Sequence, residues 1–313
     1  MSTKASVRTA PVDKAGFAAL YERLRRQADW GSADRRGALN YITPSTVRAA
    51  MEEVRLGRSV SLAVPVETDA SVDNPHPWNH EMISSPAEHR GDDGLNFAFD
   101  RLALTIHGNA DTHLDALCHV IYDGTLYNGV PADFVEPDGL PALTIDVVRD
   151  GIVGRGVLLD IPRLRGVPWL DPGDDVTAAD LAMAEAAQGV QVRPGDLLFV
   201  HVGHRRRRAA LGAWDTASAR AGLHPAALEF VADRKVAVLG SDGNNDTAPP
   251  TGVDFPIHVL AIHALGVHLI DYLQLDDLCT LCAQENRWSF LCVVAPLRLP
   301  SGTGSPVNPI ATL

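Results

Sequence analysis

PAALEFVADRKVAVLGSDGNNDTAPPTGVDFPIHVLAIHALGVHLIDYL, residues 225–273, sets the fold class of this chain. PAALEFVAD (225–233) has helical spacing, KVAVLGSD (235–242) is a short apolar run ended by turn formers, PIHVLAIHALG (256–266) is helical again, and VHLIDYL (267–273) is a second apolar run. Short apolar runs flanked by Gly, Asn or Asp read as buried strands, and their alternation with helices over short connections implies an α/β fold on a central sheet.

The alternation extends in both directions. Downstream lie a helix, LDDLCTLCAQ (275–284), and a strand, FLCVVAPL (290–297). Upstream, LLFVHV (197–202) and GVLLDI (156–161) read as buried strands, and FAFDRLALTI (97–106) as a strand ending at His107-Gly108. Thr177 and Asp180 form a capping box for AADLAMAEAAQ, which Gly189 closes. Near the N-terminus, FAALYERLRRQADW reads as a surface helix; Thr43 caps a second helix that opens on Pro44 and stops at Gly57. SVSLAVPV (59–66) is strand-like, residues 68–95 form a long polar loop, and Arg205–Arg208 read as a solvated loop with no assigned role. One domain over 58–313, with a helical N-terminal extension over 1–57, accounts for this pattern.

Composition narrows the function. The 313 residues carry 27 Lys and Arg against 39 Asp and Glu, a net charge of −12, which argues against nucleic acid and anionic membrane as partners. No apolar run is long enough to span a bilayer and the first residues lack the apolar core of a secretory signal, so a cytoplasmic protein is expected. Cys118, Cys279, Cys282 and Cys292 are too few to staple the fold; Cys118 reads as a small core residue, and the lone CxxC at 279–282 lacks the second pair of a zinc knuckle.

The 12 histidines are the compositional feature left to explain. The densest polar stretch, HGNADTHLDALCH (107–119), contains H-x-D-x₃-H at His113, Asp115 and His119. On an extended segment His113 and Asp115 share a side; a helix starting near Asp115 would put Asp115 and His119 on one face. Imidazoles with a carboxylate suit a borderline divalent ion such as Zn or Mn. Hydrogen-bonded core histidines would show the same spacing.

DTHLDALCH is similar to the H-x-G-T-H-x-D-x-P-x-H signature of the metal-dependent cyclase family, which includes bacterial kynurenine formamidase and isatin hydrolase. WGSADRRGALNYITP (30–44), HLDALCHVIYDGTLYNG (113–129), GRGVLLDI (154–161), VRPGDLLFV (192–200) and GSPVNPIA (304–311) extend the likeness to the longer-chain branch over most of the chain. The chain departs from the pattern at Asn109, which stands where the first His falls, at Asp111 for Gly, and at Leu117 for Pro. The resemblance implies a central mixed sheet of the swivelling β/β/α type and one divalent ion held by His113, Asp115, His258 and Asp271. His258 lies in a P-x-H match and Asp271 in a G-V-x-L-I-D match, where the family more often has Glu. Asn109 or His107 is a further candidate ligand.

With such an ion, His119 is the expected general base. Trp78 and His80, on a loop that also carries His76 and His89, together with Tyr122, Tyr127 and Asp242, are candidate substrate contacts; His263 and His268 read as structural. The implied activity is hydrolysis of an amide, formamide or lactone carbonyl in a small cyclic or aromatic substrate, by a homo-oligomer, dimer or tetramer. The alternatives are a polyketide-type cyclase or lactone-processing enzyme and, from another class, a ligand-binding or scaffold protein that lost its metal ligation.

Overall fold

A computed structural model describes residues 9–10, 12–28, 30–84, 95, 97–134, 139–140, 142–248 and 253–313. Thirteen strands occur among them: β1 (Ser59–Ser61), β2 (Asn79–Ser84), β3 (Phe99–Ala103), β4 (His113–Asp115), β5 (Ile152–Asp160), β6 (Asp175–Val176), β7 (Leu197–His201), β8 (Gly222–Leu223), β9 (Val238–Ser241), β10 (His268–Asp271), β11 (Ser289–Val294), β12 (Gly304–Pro306) and β13 (Ile310–Thr312). Nine form one mixed sheet in the order β1-β13-β11-β5-β7-β9-β10-β4-β12. Its centre, β5-β7-β9-β10, is parallel, and every other pairing is antiparallel. The fold is a single α/β domain on a large mixed sheet.

The parallel strands are buried along nearly their whole length, which is why they read as unbroken apolar runs rather than alternating ones. The flanking helices are α1 (Lys14–Gln27), α2 (Pro44–Met51), α3 (Ile161–Arg165), α4 (Ala178–Gln188), α5 (His204–Leu211), α6 (Ala227–Asp233), α7 (Pro256–His258) and α8 (Asp276–Glu285). α7 continues into a π-helical turn, Val259–Leu265. The N-terminal segment packs onto the sheet domain: α1 buries Phe17, Leu20 and Leu24 and lies against the π-helical turn, and α2 lies against β5 and β11. No described helix is long and apolar enough to cross a membrane.

Several expectations need correction. α2 starts at its Thr43 N-cap as expected, with Thr46 completing a capping box, but ends at Met51, six residues before Gly57. The strand expected over 59–66 stops at Ser61; Leu62 still donates its N–H to Pro309 O, after which the chain runs into Pro65. The polar stretch 68–95 is not all loop, because β2 pairs with β3 in a hairpin. Arg205–Arg208 belong to α5. There Arg205 is buried and donates to the carbonyls of Ala110 and Tyr272, while Arg208 forks onto Glu67 and Asp73. These two guanidiniums tie α5 to the segment leading into β4 and to the polar loop.

Candidate metal centre

Strand register builds the site. β4 pairs antiparallel with β10 so that His113 stands opposite Asp271, and with β12 so that Asp115 stands opposite Gly304. The chain does not turn helical after β4; it makes a tight turn in which His119 N–H donates to Ala116 O, so the helical alternative for Asp115 and His119 is not the one adopted. His258 closes the first turn of α7, and Asp271 ends β10. Three residues around these elements hold positive φ without being glycine, namely Asn245 at 57°, Phe255 at 48° and Tyr272 at 56°. Strain of this kind persists where the surroundings enforce it, and it clusters at functional sites.

Asp115 is fully buried at the centre. Its Oδ1 accepts from His107 Nδ1 at 2.9 Å and lies 3.7 Å from His113 Nε2. Its Oδ2 has no hydrogen-bond partner and lies 3.5 Å from His258 Nε2, which is also 3.5 Å from Asp271 Oδ2. Nitrogen and oxygen ligands of a tetrahedral ion stand roughly 3.3–3.6 Å from one another, so these donors have the spacing of a shared cation. The ligand atoms of His113, Asp115 and Asp271 all lie within 4.8 Å of one another.

The tautomers agree with this reading. His113 Nδ1–H donates to Asp111 O at 2.9 Å and His258 Nδ1–H donates to Asp246 Oδ2 at 2.5 Å, so both Nε2 atoms face the cluster, each left to take a cation there, a proton or a metal ion. Ligating histidines are oriented in this way. Asp246 also accepts from Ile257 N–H at 2.6 Å, fixing the start of α7. Asn244 and Asn245 donate to the two oxygens of Asp271 at 2.7 and 2.6 Å. Sequence reasoning misses these three residues and Thr303. The available signal is the N-N-D run just past β9, at the carboxyl ends of the parallel strands where α/β sites are built.

Electrostatics point to a cation. Burial alone would raise the Asp115 carboxyl, but His119, His107, His258 and His113 outweigh it and hold the group well below the usual carboxylate range. Burial would lower the His258 imidazole, yet Asp271, Asp115 and Asp246 hold it well above its ordinary value. The carboxylates therefore favour positive charge at that position. His119 behaves differently: burial pushes it down to about 4 against the pull of Asp115, with His107, His258 and His113 adding to the drop.

The other candidate residues take varied positions. His107 is in the cluster, stacked on His119 at 3.7 Å between ring centroids, but both its nitrogens are engaged, by Asp115 Oδ1 and by Thr303 Oγ1. Asn109 is exposed. Asp242 is buried and caps the start of α5, accepting from the N–H groups of Val202 and His204 at 2.7 Å each. Tyr122 packs on Phe17, Tyr21 and His263, while Tyr127 donates to Asp34 and lines a cavity of about 320 Å³ with His263. Trp78 lines a more apolar cavity of about 610 Å³ that reaches Asp111 and Thr112, beside His113. His80 is exposed on the hairpin and pairs with Asp100; His89 lies outside the described residues. His263 takes the Tyr21 hydroxyl at Nδ1 and donates to Thr125 O, and His268 donates to Asp115 O.

Known structures share this architecture. A crystal structure of a novel cyclase is 32% identical over 94% of this chain and 99% of its own, with a TM-score of 0.82. An isatin hydrolase bound to the product analogue thioisatinate superposes at a TM-score of 0.58 with 22% identity, over 86% of this chain and 98% of its own. A predicted metal-dependent hydrolase from Bacillus stearothermophilus does so at 0.51 with 18% identity, over 81% of this chain and 97% of its own. No curated protein matches the chain. With the Cyclase family model matching residues 40–245, the chain belongs to the cyclase family.

Proposed function

We propose that this chain is a cytoplasmic metal-dependent hydrolase that cleaves an amide, formamide or lactone carbonyl in a small cyclic or aromatic substrate. The observation that carries the reading is the buried, unpartnered Asp115 Oδ2 facing His258 Nε2 at 3.5 Å, with His113 and Asp271 converging on the same point. His113, Asp115, His258 and Asp271 would hold one divalent ion, Zn or Mn. Such an ion supplies Lewis acidity to a carbonyl oxygen and acidity to a water.

The rest falls to the chain. His119 enters neutral near pH 7, because burial keeps its imidazole low, and it can therefore take a proton as the carbonyl is attacked and return it to the leaving nitrogen or oxygen. His107, pinned at both nitrogens, stacks on that ring and limits its rotation. Asp246 and the Asn244–Asn245 pair orient His258 and Asp271. The Trp78 cavity has the size and apolar lining for a small ring compound. A homo-oligomer, dimer or tetramer, belongs to the same reading, supported by Met82, Phe99 and Leu102 exposed on the β2–β3 hairpin.

The test combines elemental analysis with turnover of N-formylkynurenine, isatin and simple lactones. His119→Ala is expected to keep its metal and lose about 10²–10⁴ in turnover. Purified protein holding less than about 0.2 equivalents of Zn or Mn, with no rescue by either, overturns the proposal.

A further inference from the structure

Phe255, at the start of α7, combines three features that metal ligation does not account for. It is a large aromatic side chain left 48% exposed, yet it packs on the buried His258, with ring centroids 5.7 Å apart and planes at 78°. Its backbone is left-handed, at φ 48° and ψ 54°. Glycine holds that conformation without strain and a bulky side chain does not, and Pro256 ordinarily pushes the residue before it to extended backbone. The ring is also held in place, because the Arg220 guanidinium lies 5.2 Å over its centroid. Arg220 is itself buried and fixed, donating Nε–H to Asp246 O and Nη1–H to Thr216 O, each at 2.9 Å.

The turn itself has a local cause. Ile257 N–H donates to Asp246 Oδ1 at 2.6 Å and Val259 N–H to Phe255 O at 3.1 Å, so the chain is pinned on both sides of His258 and enters α7 by turning sharply at Phe255. That explains the backbone and leaves the side chain unexplained, since glycine would make the same turn and a half-exposed ring adds little to the core. What the ring provides is a fixed apolar surface beside His258, whose other ring neighbour is His119, 6.1 Å away between centroids. A ring immobilised before a ligand arrives loses little freedom on binding, and it favours flat aromatic partners in offset or edge-on contact. Strained backbone at such a place is kept where function uses it. On the metal-dependent hydrolase reading above, we infer that Phe255 is a specificity-determining residue that packs against a planar aromatic ring attached to the carbonyl held at the proposed metal centre. The substrate class is then an aromatic carbonyl compound rather than an aliphatic lactone.

The experiment uses acetohydroxamate and benzohydroxamate, which share one metal-binding group and differ by a ring. Calorimetric titration of the Zn-loaded full chain is expected to show benzohydroxamate binding about 10-fold more tightly. Phe255→Leu is expected to cut that ratio to about twofold or less, and Phe255→Tyr to keep it. Bound Zn by elemental analysis, with acetohydroxamate binding, reports that each variant still forms the metal centre. A wild-type ratio near one overturns the proposal without recourse to any variant. A ratio that survives Phe255→Leu, or that is lost only in Trp78→Leu because the ring enters the cavity beside His113, also overturns it; all three results leave the hydrolase reading standing. If neither hydroxamate binds the Zn-loaded or Mn-loaded chain, the metal reading fails and the role of Phe255 with it.

Discussion

Asp246→Asn isolates the part of the proposed metal centre that only the folded chain reveals. Asp246 Oδ2 accepts the His258 Nδ1–H at 2.5 Å and Oδ1 accepts Ile257 N–H at 2.6 Å, in a fully buried position. The asparagine keeps one acceptor oxygen, enough for the α7 N–H, and turns an amide NH₂ toward the imidazole N–H. The charge-assisted bond to His258, a class worth about 1.5–3 kcal/mol, is lost, and with it the restraint that points Nε2 at Asp115 and Asp271. Outer-shell losses of this kind weaken metal affinity about 10–100-fold, or roughly 1.4–2.7 kcal/mol. Competition against a chromophoric chelator, with circular dichroism as the check on folding, measures it. His258→Ala sets the lower limit of affinity. If Asp246→Asn binds metal within about twofold of wild type while His258→Ala does not, Asp246 does not orient the ligand and the outer-shell argument fails.

Two further predictions concern the frame around the site. Gly37 sits at φ +56°, and a Cβ there would meet Gly266 O at 2.2 Å, against a backbone that cannot move aside. Gly37→Ala is expected to cost at least about 3 kcal/mol and lower Tm by roughly 6 °C or more, whereas Gly57→Ala, at φ +66° with nothing within 4 Å, costs only the left-handed backbone term of about 1–2 kcal/mol. Equal melting points for the two variants refute the close-contact argument. His204, buried between Trp214 and Tyr272, is pushed down to about 3 by burial and then by Arg205. Between the ordinary histidine value and that lowered one, the unfolded chain binds a proton that the folded chain does not. The contribution of His204 to stability is therefore intact above about pH 6.5 and is lost at about 1.4 kcal/mol per pH unit as pH drops through the window. His204→Phe is expected to remove that slope in denaturant titrations at pH 6, 5 and 4; an unchanged slope shows that His204 is not the linked group.

The long buried strands and the capped helices could be read directly from sequence because each carries its signal locally. The Thr177–Asp180 capping box and the left-handed Gly189 bound α4 without help from any other part of the chain. β4 and β12 are different: three residues each, with no periodicity to detect, they exist because Asp271 and Pro306 both pair with His113. Arg205 shows the same limit, since four consecutive arginines look solvated until the Ala110 and Tyr272 carbonyls are brought to one of them. The proposed metal centre depends on such distant pairings, and Asn109 illustrates their effect. Aligned by motif, position 109 is where a ligand belongs, but its side chain is exposed, and the imidazole two residues earlier enters the cluster. That imidazole is engaged at both nitrogens, supporting the ring above it rather than offering a lone pair. A motif records which residue types recur at a spacing. The hydrogen bond on the far nitrogen decides which histidine is left with a lone pair for a metal, and that partner, Asp246 for His258 or Thr303 for His107, lies elsewhere in the chain.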